Sequence, residues 1–119
     1  MQMRKGNFNT EPQKRYLEDY VEGDVHEFGP ITITEDEIIQ FGHKFDPQLF
    51  HTDPDEAKDT VYGGLIASGF QTIALTFRLF RDTGVLTGTN LGGHGMDEVR
   101  WLAPVYSCPT IPARFTLEA

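Results

Sequence analysis

Apolar and polar positions alternate most regularly in "VYGGLIASGFQTIALTFRLFRDTG", where Phe70, Ile73, Ala74, Phe77 and Phe80 recur at helical spacing. Ser68 followed by Gln71 reads as a capping box at the start of this run, and Gly84 stands where a C-terminal cap belongs. The pattern predicts a buried helix over 69–82. A shorter helix over 35–44 is predicted by a second box, Thr34 with Glu37, ahead of Ile38, Phe41 and Phe45, with His43 and Lys44 at its negative end. "GDVHEFGPITIT" alternates around a Gly-Pro break, which predicts a short strand, a turn and a second short strand. "GGHGMDEVRWLAPV" alternates through Val99 and Trp101, predicting a strand that ends at Pro104, and "TIPARFTLEA" is a further strand with Pro112 suited to an edge. The first twenty or so residues show no periodicity and are expected to form an arm along the body of one domain spanning 1–119. The elements add up to an α+β domain.

Between the two helices lies "FDPQLFHTDPDEA", residues 45–57. Asp46 before Pro47 reads as an N-cap with proline at the first helical position, and Asp53-Pro54 repeats it with Glu56 completing a box, so two short helical turns are expected. Either these aspartates only cap turns and His51 fills a hydrogen-bonded slot, or Asp46 and His51 hold a water between them and remove its proton. Spacing leaves both readings open. Gly69 opens the long helix, where a backbone N–H has no acceptor within the helix and lies in its positive field, so a missing side chain there suits either close packing or an oxyanion. Ser68 reads as a cap rather than a nucleophile, since "ASGF" is not G-x-S-x-G.

Composition narrows the chemistry. At 119 residues the chain is long enough for one domain, and 39% hydrophobic residues suffice for one core. A formal charge of −8 opposes binding to nucleic acid, while leaving room for a few cations around one anionic small molecule. The single cysteine, Cys108, excludes an internal disulfide and a cysteine zinc cluster, and reads as a small residue near a turn. His43, His51, Asp53 and Asp55 fit neither H-E-x-x-H nor a calcium loop, so no metal is expected. The glycines from 88 to 95 lack the Gly-Lys-Ser/Thr of a phosphate loop, and His94 among them reads as exposed and inert. With no signal-like or eighteen-residue apolar run, a soluble cytoplasmic protein without membrane partners is expected.

"FDPQLFHTDPDEA", "YGGLIASGFQTIAL" and "GGHGMDEVRWLAPV" occur in an order that resembles the MaoC-like dehydratase family, which includes (R)-specific enoyl-CoA hydratases of the hotdog fold. The match runs from about Val21 to Val105. The resemblance implies an antiparallel sheet wrapped around the apolar helix, a homodimer whose CoA tunnel lies near the subunit boundary, and an acyl-CoA thioester as substrate with no cofactor. It implies that Asp46 and His51 orient and activate water, and that the Gly69 N–H receives the thioester oxygen. Ser68, Ile66, Phe70 and Trp101 are expected next to the substrate.

Two departures qualify it. Pro47 directly follows Asp46, where the best-studied motif has Asn-Pro between aspartate and histidine, which opens the substrate question. After Val105, "YSCPTIPARFTLEA" stands where a Pro-Gly-Asp turn and further strands would follow, so the sheet is expected to be short of one or two C-terminal strands. A hotdog thioesterase and a non-catalytic acyl-thioester binding module are the alternative readings.

Overall fold

The computed structural model describes residues 21–84, 92–93 and 95–118. The expected N-terminal arm and His94 lie outside them. The order of elements is strand β1 (Val25–Ile33), helix α1 (Glu35–Phe45), short helices α2 (Leu49–Thr52) and α3 (Pro54–Ala57), helix α4 (Gly69–Asp82) and strand β2 (Cys108–Thr116).

β1 and β2 pair antiparallel from Val25 opposite Thr116 to Ile33 opposite Cys108. The turn expected at Gly29-Pro30 is not formed: the chain runs straight through as one strand. Register slips between Phe28 and Ile31, so Gly29-Pro30 and Pro112 fall in the same irregular step of the ladder. Proline has no N–H to give to a ladder, and a bulge tolerates that loss where regular pairing would not. Cys108, read as a residue near a turn, begins β2 instead.

α1 starts as its pattern requires. Thr34 is the N-cap and accepts the Glu37 N–H, while Thr34 Oγ1 donates to Glu37 Oε1 at 3.1 Å. Glu35, Asp36 and Glu37 occupy the first turn and His43 and Lys44 the last, in accord with the helix dipole. Its apolar stripe is only partly used, since Ile38 is fully buried whereas Phe45 is exposed. The core gathers Ile33, Ile38, Ala57, Leu65 and Ala67, with Ile39, Phe50, Leu75 and Val105 packed against it. Burying a side chain such as Ile38 contributes about 1.5–3 kcal/mol.

α4 has the predicted bounds, and Gly84 closes it at φ 76°, a left-handed conformation that glycine adopts without strain. Its packing differs from the expectation. Gln71 is the buried residue of this helix, its Nε2 donating to Glu37 O at 3.0 Å, and Leu75 packs on the core. The phenylalanine face is turned away: Phe70 is 64% exposed and Phe77 55%, while Phe80 meets Phe115 edge-on at 4.4 Å. Among the described residues the sheet has two strands, too few to cover that face.

The strand expected to end at Pro104 is also absent among the described residues of 92–105. Glu98 sits at φ 54°, which breaks an extended run, and among the described residues the sheet holds only β1 and β2. Pairing is confined to single links, a bridge between Ile66 and Tyr106 and a bond from Ala67 N–H to Val105 O at 2.7 Å.

Candidate active site

Residues 65–68 form a buried extended run that joins the parts of the site. Ile66 N–H donates to Phe50 O at 2.9 Å on one side, and Ala67 N–H reaches Val105 O on the other. Leu65, Ile66, Ala67 and Ser68 are all buried, so the run is held by core packing as well as by its bonds. It therefore presents the Ile66 carbonyl at a defined place, and His51 uses it: Nδ1 lies 2.7 Å from Ile66 O. A carbonyl only accepts, so Nδ1 donates its proton to Ile66 O, which turns Nε2 toward Asp46. Phe50 stacks edge-on against the same imidazole at 4.6 Å.

Nε2 of His51 lies 3.2 Å from Oδ2 of Asp46. The expected N-cap role of Asp46 is not what the chain adopts. Asp46 is the C-cap of α1, its N–H bonding to Gly42 O, and α2 begins only at Leu49 with Gln48 as N-cap. The carboxylate is thereby released from the backbone and accepts from side chains: Gln48 Nε2 on Oδ1 at 2.9 Å and Ser68 Oγ on Oδ2 at 2.9 Å. The Gln48 bond, followed by those of Ser68 and the His51 ring, holds Asp46 below the ordinary carboxylate value of 3.8, against the opposing effect of desolvation. Asp46 is thus ionised at neutral pH.

Ser68 explains a second departure. It sits at the N-cap of α4 but makes no side-chain cap bond, because its hydroxyl is committed to Asp46, and Gln71 points to Glu37 instead of closing a box. The N–H groups of the first turn of α4 are consequently left without a side-chain cap, in the positive field of the helix. Gly69 is the first of them. A Cβ on Gly69 would lie 2.3 Å from the Trp101 indole, so the missing side chain is what lets Trp101 lie against the helix start. Trp101 also meets the Phe70 ring edge-on at 5.7 Å.

These residues surround one cavity of about 410 Å³, lined by Asp46, Gln48, His51, Ile66, Gly69, Phe70 and Trp101 among others. The structure thus brings together six of the seven site residues expected from sequence. Ser68 is the exception: it is 1% exposed, absent from the lining, and reaches the cavity only through Asp46. Sequence reasoning missed Gln48 and the Ile66 carbonyl. It also missed Gly42, where a Cβ would lie 2.7 Å from the His51 carbonyl oxygen. A glycine inside a helical pattern was the available signal for that close approach. Among the described residues no three His, Cys, Asp or Glu side chains gather as a metal site, and no helix is long and apolar enough to cross a membrane.

The chain is similar to known proteins. The chain is 38% identical over 77 residues to 3-hydroxyacyl-thioester dehydratase Z of Mycobacterium tuberculosis, and 32% identical over 90 residues to protein YdeM of Bacillus subtilis. Those alignments take in 63% and 76% of this chain; it spans 51% and 64% of the respective relatives' length. The crystal structure of a MaoC-like dehydratase from Rhodospirillum rubrum superposes with a TM-score of 0.73 at 33% identity, covering 88% of this chain and 71% of that one. That likeness makes the fold a hotdog, with α4 as its central helix and β1 and β2 as the sheet strands among the described residues. The profile of the MaoC like domain matches residues 19–119, and the chain belongs to the MaoC-like dehydratase family.

Proposed function

We propose that this protein adds water reversibly to a 2-enoyl thioester, converting an enoyl-CoA to the (R)-3-hydroxyacyl-CoA. The observation that carries the reading is the 3.2 Å contact between Asp46 and His51 at the wall of a cavity that also holds the first turn of α4. An ionised carboxylate held against an imidazole can take a proton from a water lying beside the pair. As the water oxygen bonds to C3, negative charge moves through C2 onto the thioester oxygen, where the Gly69 N–H stabilises it. The pair then returns a proton to C2, so one water is added and nothing else is consumed. Positioned acid/base catalysis supplies about 10²–10⁴-fold, and one oxyanion donor about 10²–10³-fold. Family membership and the relative named for 3-hydroxyacyl thioesters support the substrate class.

The same reading includes a second copy of the chain. Phe70, Phe77 and Trp101 are exposed apolar surface in the single chain, which a dimer contact would cover. Light scattering at micromolar concentration tests this directly.

Catalysis is tested by the loss of enoyl absorbance when purified protein meets a short 2-enoyl-CoA, with the product identified by mass. Gain of 18 mass units, the mass of one water, with the thioester intact supports hydration. Release of free thiol makes the protein a thioesterase, and binding without turnover across short and long chains makes it a binding module.

A further inference from the structure

The Asp46 carboxylate is gripped unevenly. Oδ2 has Ser68 Oγ at 2.9 Å and His51 Nε2 at 3.2 Å, both from buried residues. Oδ1 has one hydrogen-bond partner among the described residues, the Gln48 side-chain amide at 2.9 Å. Rotation about the terminal bond of an aspartate is broad, so contacts on Oδ2 alone leave the carboxylate plane loosely set. An ionised carboxylate has about four acceptor positions. With Oδ2 engaged twice and Oδ1 once, the open lone pair lies on Oδ1, and its direction follows from where Gln48 holds that oxygen.

The backbone of Gln48 is built into the same arrangement. Its N–H donates to Asp46 O at 2.8 Å, and its carbonyl accepts the His51 N–H at 2.8 Å and Thr52 Oγ1 at 3.1 Å. At the N-cap of α2 its backbone is extended, at φ −98° and ψ 145°, and its side chain makes no cap bond. The amide is therefore free of the helix and turned back to Asp46, beside the cavity that Gln48 itself lines.

We propose that Gln48 is a positioning residue for the Asp46–His51 pair: its amide holds Oδ1 of Asp46 so that the open lone pair meets water in the cavity. This rests on the hydration reading given above. A neutral donor on Oδ1 also favours the ionised form, and the Gln48 bond is the largest influence holding Asp46 below its ordinary value. Among the described residues, the titratable group in contact with this carboxylate is His51 from α2. α4 contributes the neutral Ser68, and the Lys44 ammonium of α1 lies over the Phe45 ring at 5.3 Å.

The test uses the full chain with Gln48→Leu, which keeps bulk and loses the amide, and Gln48→Glu, which sets a like charge against Oδ1. Gln48 is exposed, so folding is expected to survive, and circular dichroism checks it. Gln48→Leu is expected to lower kcat by about tenfold or more with KM little changed, within the roughly hundredfold that a 1 Å misplacement can cost. The acid limb of kcat/KM moves to higher pH, and further in Gln48→Glu. A folded Gln48→Leu protein with the native kcat and the native acid limb overturns the proposal. If the native protein does not turn over enoyl thioesters, the hydration reading falls, and ¹³C titration of the Asp46 carboxyl group decides the grip separately. An upward shift in Gln48→Leu supports it, and identical titration in both proteins overturns it.

Discussion

Asp46-Pro47 and Asp53-Pro54 are the same dipeptide met twice in one stretch of chain, and the fold gives them opposite work. At Asp53 the carboxylate turns onto its own helix, Oδ1 accepting the N–H groups of Asp55 and Glu56 at 3.0 and 3.2 Å, with Pro54 in the first turn. The box expected there is only half closed, because the Asp53 N–H goes to Leu49 O rather than to Glu56. At Asp46 the helix start is displaced to Leu49, and the carboxylate meets Gln48, Ser68 and His51 instead. An aspartate before a proline caps a helix when backbone donors are the nearest partners. It becomes a chemical group when a neighbouring element brings better ones. Under the proposed hydration, the two sites separate stability from activity within a few residues.

The sharpest way to break this comparison is to neutralise each aspartate in turn. Asp46→Asn keeps the shape and removes the charge, and is expected to lower turnover by at least about a hundredfold, the contribution of general-base chemistry. Its melting temperature at neutral pH should change little beside that loss. Near-native turnover in Asp46→Asn would remove Asp46 from the chemistry and return it to a structural role.

Gly42→Ala comes next, because it acts on both sides of the comparison. The new Cβ would lie 2.7 Å from the His51 carbonyl oxygen and 3.0 Å from its Cβ, and backbone cannot swing aside as a side chain would. Overpacking of this kind costs about 1–3 kcal/mol, and α2 must shift, carrying His51 away from Asp46. Denaturant titration and turnover are both expected to fall. Intact activity at reduced stability would mean that His51 tolerates displacement. Asp53→Ala should do the reverse of Asp46→Asn: loss of the cap costs about 0.5–2 kcal/mol, while kcat stays within a factor of two or three, as expected of an intact site.

What was legible in the chain follows from how local each signal is. The bounds of α4 and the start of α1 were readable because caps and periodicity are set within a few residues, as Thr34 and Gly84 show. Spacing raised Asp46 and His51 as a pair but left its role open, and the family resemblance favoured a site; the 15-residue separation of His51 from Ile66 and the 22-residue separation of Asp46 from Ser68 leave no local trace. The same distance hid Gln48: nothing in "DPQ" says that the amide will reach back to the aspartate. Capping boxes misled at Ser68 because a tertiary partner outcompeted the helix for its hydroxyl. Alternation misled between Val99 and Trp101 because a strand needs a neighbour, which no pattern within the segment can supply.

The smallest expected effect lies in the pH dependence of stability, and it tests whether Asp46 is tied as closely as its bonds imply. Its folded-state pKa is depressed below the ordinary 3.8, first by the Gln48 amide and then by Ser68 and His51. The unfolded chain binds the proton more tightly than the native one, so stability rises with pH across the interval between the two values. The stabilisation is fully present above the unfolded value, about 3.9, and is lost as pH falls through the folded one. Chemical denaturation from neutral pH down through this range should therefore show a native protein that loses stability in acid more steeply than Asp46→Asn, the two curves running parallel above the unfolded value and drawing together as pH falls. Because Asp46 is partly exposed, with 22% of its side chain accessible, solvent screening keeps the difference small. Curves that stay parallel across the whole range would mean that its hydrogen bonds do not distinguish the ionised carboxylate from the neutral one, and that the comparison between the two aspartates rests on geometry alone.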